Sequence, residues 1–399
     1  MISTDFAPNE KMDDAIVSFK TLFQPWKWRR GRELTRAKNR MKSFFPDHEV
    51  FFFLSGRSAL YNLLQALHLP KGSEVLVQAF TCEAVVLPIL ALGLKPVYVD
   101  VESKTLSMDL DDLKKKLSNK SKVLIVQRTF GMEPIFLKEI QEEAKKNKMF
   151  YIEDLAHGFA DTNKTSLNGA AVLSFGRTKT LSSVFGGAII TKNKSFMKSL
   201  KSLQTSMDLP PIPFIFKILL YKPLSVFIKK TYPFLLGKII HKISVSIGLI
   251  TPEISIREKR GEFDPLLNRG LPNACAILLL NQLGKFQKIS TKRRESVKEY
   301  EEKLGVIFKN LFHTQSAPLL RFPVAVENRD EMVKKVAKKQ IFLGVWYNQV
   351  IAPKGFNLNK AGYIPGSCKK AEEVCNQILN LPTNVSKKER ARVIQLFQQ

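Results

Sequence analysis

Between residues 50 and 200 the chain alternates two hydrophobic patterns. Short apolar runs at 50–54, 74–78, 96–101, 122–126 and 149–153 read as buried strands. Segments with apolar positions three and four apart lie between them, at 58–67, 83–92, 110–117 and 135–147, and read as helices. Leu60, Leu63, Leu64 and Leu67 mark one helical face, and Asp109, Asp111 and Asp112 supply an acidic first turn to the helix at 110–117. Two further strands, 170–175 and 187–191, close the series. Strand and helix in strict alternation predict an α/β fold with a mainly parallel sheet covered on both faces. Ligands of such sheets lie beyond the carboxyl ends of the strands.

The pattern breaks at 209–251. This stretch holds Lys217, Lys222, Lys229, Lys230, Lys238 and Lys242 between apolar blocks, and no acid. Pro213, Pro223 and Pro233 predict short, broken helices there. From about Gly261 ordinary alternation resumes, with helices at 274–286, 292–304, 329–339 and 371–377 and a strand at 320–326. The organisation read from the chain is a large domain with an N-terminal arm at 1–205, a basic apolar insertion at 206–260, and a smaller α+β C-terminal domain at 261–399. A length of 399 residues suits two domains.

Composition adds one constraint and removes several classes. Apolar residues at 44% and charged residues at 25% exclude a disordered chain. Lys and Arg total 63 against 36 acids, a net charge of +27, which draws polyanions: nucleic acid, anionic lipid or phosphorylated small molecules. Cys82, Cys275, Cys368 and Cys375 form no CxxC pair, so neither zinc nor a disulfide framework is expected, and the five histidines are scattered. Reduced thiols and an opening decapeptide with Asp5 and Glu10 in place of an apolar core suit the cytoplasm. No apolar run reaches the ~18 residues of a spanning helix.

Three segments carry candidate chemistry. Ser55-Gly56-Arg57-Ser58 is a small-residue turn leading from a strand into a helix, where free backbone N–H groups bind phosphate. Asp154 ends a strand, placing a carboxylate in the expected crevice, and His157 follows it. Lys179 sits in a polar loop between two strands, and a desolvated lysine can form a Schiff base with a carbonyl compound. Each alone is also what an ordinary turn, an acidic cap or a surface lysine would look like. Together they meet the needs of pyridoxal 5′-phosphate (PLP): a phosphate cradle, an acid for the pyridine nitrogen and a lysine for the aldehyde.

The sequence resembles the DegT/StrS family of PLP-dependent sugar aminotransferases, from about Trp26 to the C-terminus except 209–251. The resemblance rests on SGRSAL (55–60), GSEVLVQAFT (72–81), KPVYVDVESKTLSMD (95–109), IEDLAH (152–157), SFGRTK (174–179), GGAIIT (186–191) and NQLGKF (281–286). It implies the three-layer architecture of fold-type I PLP transferases. It also implies that Lys179 bonds the cofactor and shuttles the proton, and that Asp154 pairs with the pyridine nitrogen. His157 would lie near the ring hydroxyl. Gly56, Arg57 and Ser174 would hold the phosphate, and Asn268 would reach the phosphate of a partner subunit, making a homodimer. No metal is implied. The implied reaction moves an amino group, with glutamate as donor, to a keto group on a nucleotide-linked sugar. Lys179 favours transamination over the dehydration performed by relatives with histidine there.

The chain departs from the family at Cys82, where an aromatic ring usually stacks on the cofactor, at Arg57 in place of Ser or Thr, at Gln127 and Phe130 in place of His and Tyr, and at Arg269. The insertion has two readings: an interfacial element on an anionic membrane at the inner face, or a helical piece packed on the protein. The alternatives are a membrane-associated member acting on a lipid-linked or non-sugar ketone, and a catalytically silent binding protein. A nucleic-acid partner is not expected, because no binding module accompanies the charge.

Overall fold

The computed structural model of the chain describes residues 1–159, 169–308 and 312–398. Its centre is a seven-stranded sheet in the order Glu49–Phe53, Gly187–Thr191, Ala170–Ser174, Phe150–Asp154, Ser121–Gln127, Glu74–Gln78, Lys95–Val99. Strand Gly187–Thr191 is antiparallel to both neighbours, and every other pairing between adjacent strands is parallel. The alternating pleat splits the core in two: Phe51, Phe53, Val75, Ile125 and Ile152 pack on one face, while Val50, Phe52, Leu54, Leu173 and Ile190 pack on the other. Helices cover both faces, as expected of strands that are apolar throughout. This is the fold-type I architecture.

The expected elements form, with ends shifted by a few residues. Helix Gly56–Ala66 begins as soon as the first strand ends, because the Ser55 hydroxyl caps it by accepting from the Ser58 N–H at 3.1 Å. Beyond the sheet, Arg321–Ala325 pairs antiparallel with Ile378–Pro382, flanked by helices Arg329–Ala337 and Lys369–Gln377. Two small ladders tie this part back. Ile351–Ala352 runs parallel to Thr81–Cys82, and Ile2–Ser3 parallel to Ile341–Phe342. Helices Met12–Leu22 and Arg32–Lys42 went unread in the sequence, where basic residues blur their apolar faces.

The insertion differs from expectation. One 20-residue helix, Ile212–Thr231, runs straight through Pro223, and a second, Leu236–Ser246, follows a turn containing Pro233. Proline removes the N–H that would bond the carbonyl four residues earlier. Here that carbonyl, on Leu219, accepts from the Ser18 hydroxyl at 2.6 Å, so the long helix survives by bonding to helix Met12–Leu22. Pro213 lies in the first turn, where no N–H is needed.

Nor do all six lysines face solvent. Lys222 is fully buried, 3.2 Å from Glu10 and 2.9 Å from the Ser182 carbonyl, while the Ser182 hydroxyl donates to the same Glu10 oxygen at 2.8 Å. Lys229 turns inward to the Ala7 carbonyl at 2.8 Å, and burial lowers its pKa to about 8. The first long helix of the insertion is therefore a packed element of the protein.

Breaking a buried ion pair strands a charge, whereas replacing both members need not. Lys222→Met alone should lower unfolding free energy in urea by about 3–5 kcal/mol. The Glu10→Leu/Lys222→Met double variant should recover most of that loss. An equal loss in both would show that the pair contributes nothing specific.

Candidate active site

The carboxyl ends of the sheet strands border a cleft of ≈ 280 Å³ that collects residues from four parts of the chain. Strand ends supply Gln127, Asp154 and Ser174, and the turn after the first strand supplies Ser55, Gly56 and Arg57. Lys179 enters on the loop between strands Ala170–Ser174 and Gly187–Thr191. Asp5, Glu253 and the pair Trp346-Tyr347 close the cleft from the N-terminal arm, the insertion and the C-terminal part.

The lysine loop is pinned at its neck. Phe175 N–H donates to Gly186 O at 2.8 Å, and Ser183 N–H to Phe175 O at 3.0 Å. The neck lies against the Ser55 turn so closely that a Cβ on Gly187 would sit 2.3 Å from Ser55 O. Asn9 donates its side-chain amide to the Lys179 carbonyl, and the Arg177 guanidinium stacks 4.2 Å from the Tyr221 ring centre. The arm and the insertion thus hold the loop from outside.

Burial lowers the pKa of the Lys179 amine, and Arg321 lowers it further, while Cys82, Asp154 and Glu253 oppose the shift. Its Nζ lies 5.1 Å from the Trp346 ring centre. Burial raises the pKa of Asp154, against the Ala156 N–H that its Oδ1 accepts at 2.9 Å and against the charge of Lys179. An acid and an amine thus share one desolvated space, each pushed toward its neutral form and each stabilising the other's charge.

His157 belongs to an aromatic stack with Phe130, Trp346 and Tyr347, ring centres 5.5–5.9 Å away. Its Nδ1 accepts from the Phe130 N–H at 3.4 Å, which leaves the proton on Nε2, 3.3 Å from the Tyr347 hydroxyl. Burial and then Lys179 hold its pKa well below the usual value, so the ring is neutral. His157 lines the cleft, and its outer nitrogen meets Tyr347.

The Arg57 side chain corrects an expectation. Its guanidinium forms an ion pair with buried Glu258 and donates to the Glu253 carbonyl at 2.9 Å. Despite burial, Glu258 keeps it charged. It braces the insertion against the cleft, and what it leaves for an anion is its backbone N–H. Asn268 lies outside the cleft of its own chain, where its Oδ1 accepts from Ser58 at 2.9 Å and Asn62 at 2.7 Å. Cys82 lines the cleft with its thiol 2.8 Å from a Glu83 carboxylate oxygen, and burial pushes that thiol's pKa well up. Gln127 is spent on Thr81 at 2.9 Å and Thr129 at 3.1 Å.

Asp5, Glu253, Arg321, Trp346 and Tyr347 were missed in the sequence. Arg321 is 1% exposed, 2.6 Å from the Asp5 carboxylate and stacked on Trp346. The available signals were an arginine opening an otherwise apolar strand, RFPVA, and two adjacent aromatics in GVWYNQ.

Comparison with known proteins gives the family. The model of the DegT/DnrJ/EryC1/StrS aminotransferase family matches residues 11–207 and 262–398, and the chain belongs to that family. The unmatched stretch between them is the insertion. GDP-perosamine synthase of Escherichia coli O157:H7 is 32% identical over 191 residues, 47% of this chain and 50% of the relative. The UDP-2-acetamido-2-deoxy-3-oxo-D-glucuronate aminotransferase of Pseudomonas aeruginosa is 29% identical over 178 residues, 43% of this chain and 49% of the relative. The chain thus spans about half the length of the curated relatives it matches. Among solved structures, the sugar aminotransferase CalS13 from Micromonospora echinospora superposes with a TM-score of 0.73 at 17% identity, covering 99% of both chains. Spr1654 of Streptococcus pneumoniae, in its PLP form, gives 0.72 at 18%, covering 98% and 97%. These structures share the fold.

Lys179 should lose its proton at lower pH than an ordinary lysine. Competitive amine labelling read by mass spectrometry should place its midpoint below 10.5. Asp154→Asn, which removes a charge that favours the ammonium, should lower the midpoint further. A midpoint at or above that of surface lysines would contradict the burial argument.

Proposed function

We propose that the protein is a PLP-dependent aminotransferase acting on a keto sugar linked to a nucleotide. The observation that carries this reading is the meeting of the Lys179 amine and the Asp154 carboxylate in one buried cleft, beside a glycine-led helix start.

The residues present suit PLP. The first turn of helix Gly56–Ala66 leaves the N–H groups of Gly56 and Arg57 without helical partners. A Cβ at Gly56 would lie 3.0 Å from Ser174 Cβ, so the glycine allows that helix start to close on the Ser174 hydroxyl. The Thr178 hydroxyl, which also faces the cleft, is buried without a partner. These groups form a cradle for a phosphate. Asp154 would face the pyridine nitrogen and hold its proton. Cys82 would leave one ring face without the usual aromatic, and the aromatic side chains lining the cleft are Phe185, Trp346 and Tyr347, beside His157.

PLP, when bound, supplies an electron sink for a carbanion at the substrate carbon. The chain supplies the rest. Lys179 Nζ, whose proton desolvation makes easier to lose, accepts a proton from one carbon and returns it to another. Neutral His157 holds the Tyr347 hydroxyl in place. Trp346 and the N-terminal arm limit water.

Glutamate as donor is supported by Arg321, a buried guanidinium at the edge of the site that already takes a carboxylate from Asp5. A nucleotide-sugar acceptor is supported by the activities named for the relatives. The homodimer rests on Asn268, held beside the phosphate-binding helix, as the group offered to a second copy. Free thiols at all four cysteines suit a reducing compartment.

Purified protein should take up PLP with a new visible absorption band, and Lys179→Ala should abolish the band while leaving the thermal unfolding profile intact. Glutamate should bleach the wild-type band, and a 3- or 4-keto nucleotide sugar should restore it. Uptake of PLP with no response to any amino donor would leave a binding protein and end the transaminase reading.

A further inference from the structure

The second helix of the insertion, Leu236–Ser246, is apolar on its outer side as well as its inner one. On the inner side Gly237 and Ser244 are buried, Ile240 packs against the core, and His241 meets the Phe6 ring at 4.8 Å. Its outer side carries Leu236, Ile239 and Ile243, continued by Ile247 beyond the helix end, all at helical spacing and each 47–61% exposed. Phe234 and Leu235, just before the helix, are 79% and 59% exposed. A helix that only closed a soluble surface would carry polar residues on that outer side. The neighbouring helices repeat the feature. Ile212–Thr231, which packs on both Met12–Leu22 and Leu236–Ser246, exposes Phe216 and Phe227, and Met12–Leu22 exposes Met12, Ile16 and Phe19. Exposed apolar side chains on three helices packed in succession mark an interaction site.

Charge decides what covers it. Lys230, Lys238 and Lys242 are exposed among these apolar residues, and residues 209–251 contain no acid. The two acids of helix Met12–Leu22, Asp13 and Asp14, are both drawn to Lys285. A second copy applied to this face about a two-fold axis would set lysines against lysines with no carboxylate to separate them. An anionic bilayer satisfies both features, because apolar side chains enter the headgroup boundary while lysines meet lipid phosphates. No helix among the described residues is long and apolar enough to cross a membrane.

We infer that helices Leu236–Ser246 and Met12–Leu22 form a docking surface for an anionic membrane, bedded in its interface. The cleft is close by in the chain: Phe6, which packs on His241, follows Asp5, which lines the cleft. The inference does not depend on the reaction catalysed.

The test is sedimentation of the full-length protein with vesicles of phosphatidylcholine containing about one third phosphatidylglycerol, and with pure phosphatidylcholine. Wild type should bind the anionic vesicles, and less as salt rises. Ile239→Glu/Ile243→Glu and Lys238→Glu/Lys242→Glu should each weaken binding roughly tenfold or more. Both variants should keep the PLP absorption band, or, if the protein proves not to bind PLP, its thermal unfolding profile. Absence of wild-type binding, or equal binding by both variants, would overturn the proposal. So would a change from dimer to monomer in light scattering with vesicle binding unchanged, which would assign the face to a second copy.

Discussion

The loop that carries Lys179 leaves strand Ala170–Ser174 and returns as strand Gly187–Thr191, its antiparallel neighbour in the sheet. Its two ends are therefore held one hydrogen bond apart, at Phe175 and Gly186. At the same level the first strand turns into its helix at Ser55-Gly56, and only a residue without a side chain fits between the two backbones at Gly187. This close approach puts the amine, the helix start and the end of the Asp154 strand around one space. The single reversed strand in an otherwise parallel sheet makes it possible. A parallel strand in that position would need a crossover, and the lysine would lose its tether.

The insertion acts as scaffold for this loop. Tyr221 receives Arg177, Lys222 reaches the Ser182 carbonyl, and Glu253 and Glu258 hold Arg57. A segment outside the family match thus completes the wall of a cleft that the family defines. Two buried ion pairs, Lys222 with Glu10 and Arg57 with Glu258, fix its position. Buried pairs of this kind add little net stability, but they penalise any other register, because a shifted helix would strand a charge.

Much of this was legible in the chain. Strands and helices of the sheet layer follow directly from short apolar runs and period-3.6 patterns. Gly56, Asp154 and Lys179 could be placed because the loops after the strands of a parallel sheet converge by geometry, while Ser174 was implied by the family resemblance. What was not legible depends on contacts between distant residues. Arg57 looked like an anion ligand because Glu258, which occupies it, lies 201 positions away. Pro223 looked like a helix break because the Ser18 hydroxyl that rescues it is on another helix. Lys222 and Lys229 looked like surface charge until the arm covered them. Composition reports how many lysines a segment holds, and packing decides which of them meet water.

The N-terminal arm carries a consequence for the order of assembly. Ile2–Ser3 finds its ladder partner only at Ile341–Phe342, and Asp5 finds its cation only at Arg321. During synthesis the sheet and the lysine loop can form as soon as their strands have left the ribosome. Residues 7–10 can meet Lys179, Ser182, Lys222 and Lys229 earlier, but residues 2–5 must wait until more than three hundred further residues have emerged. Closing so long a loop is entropically slow. The cleft thus stays open at Asp5 until Arg321 and the Ile341–Phe342 strand have emerged, and this side of it is built late.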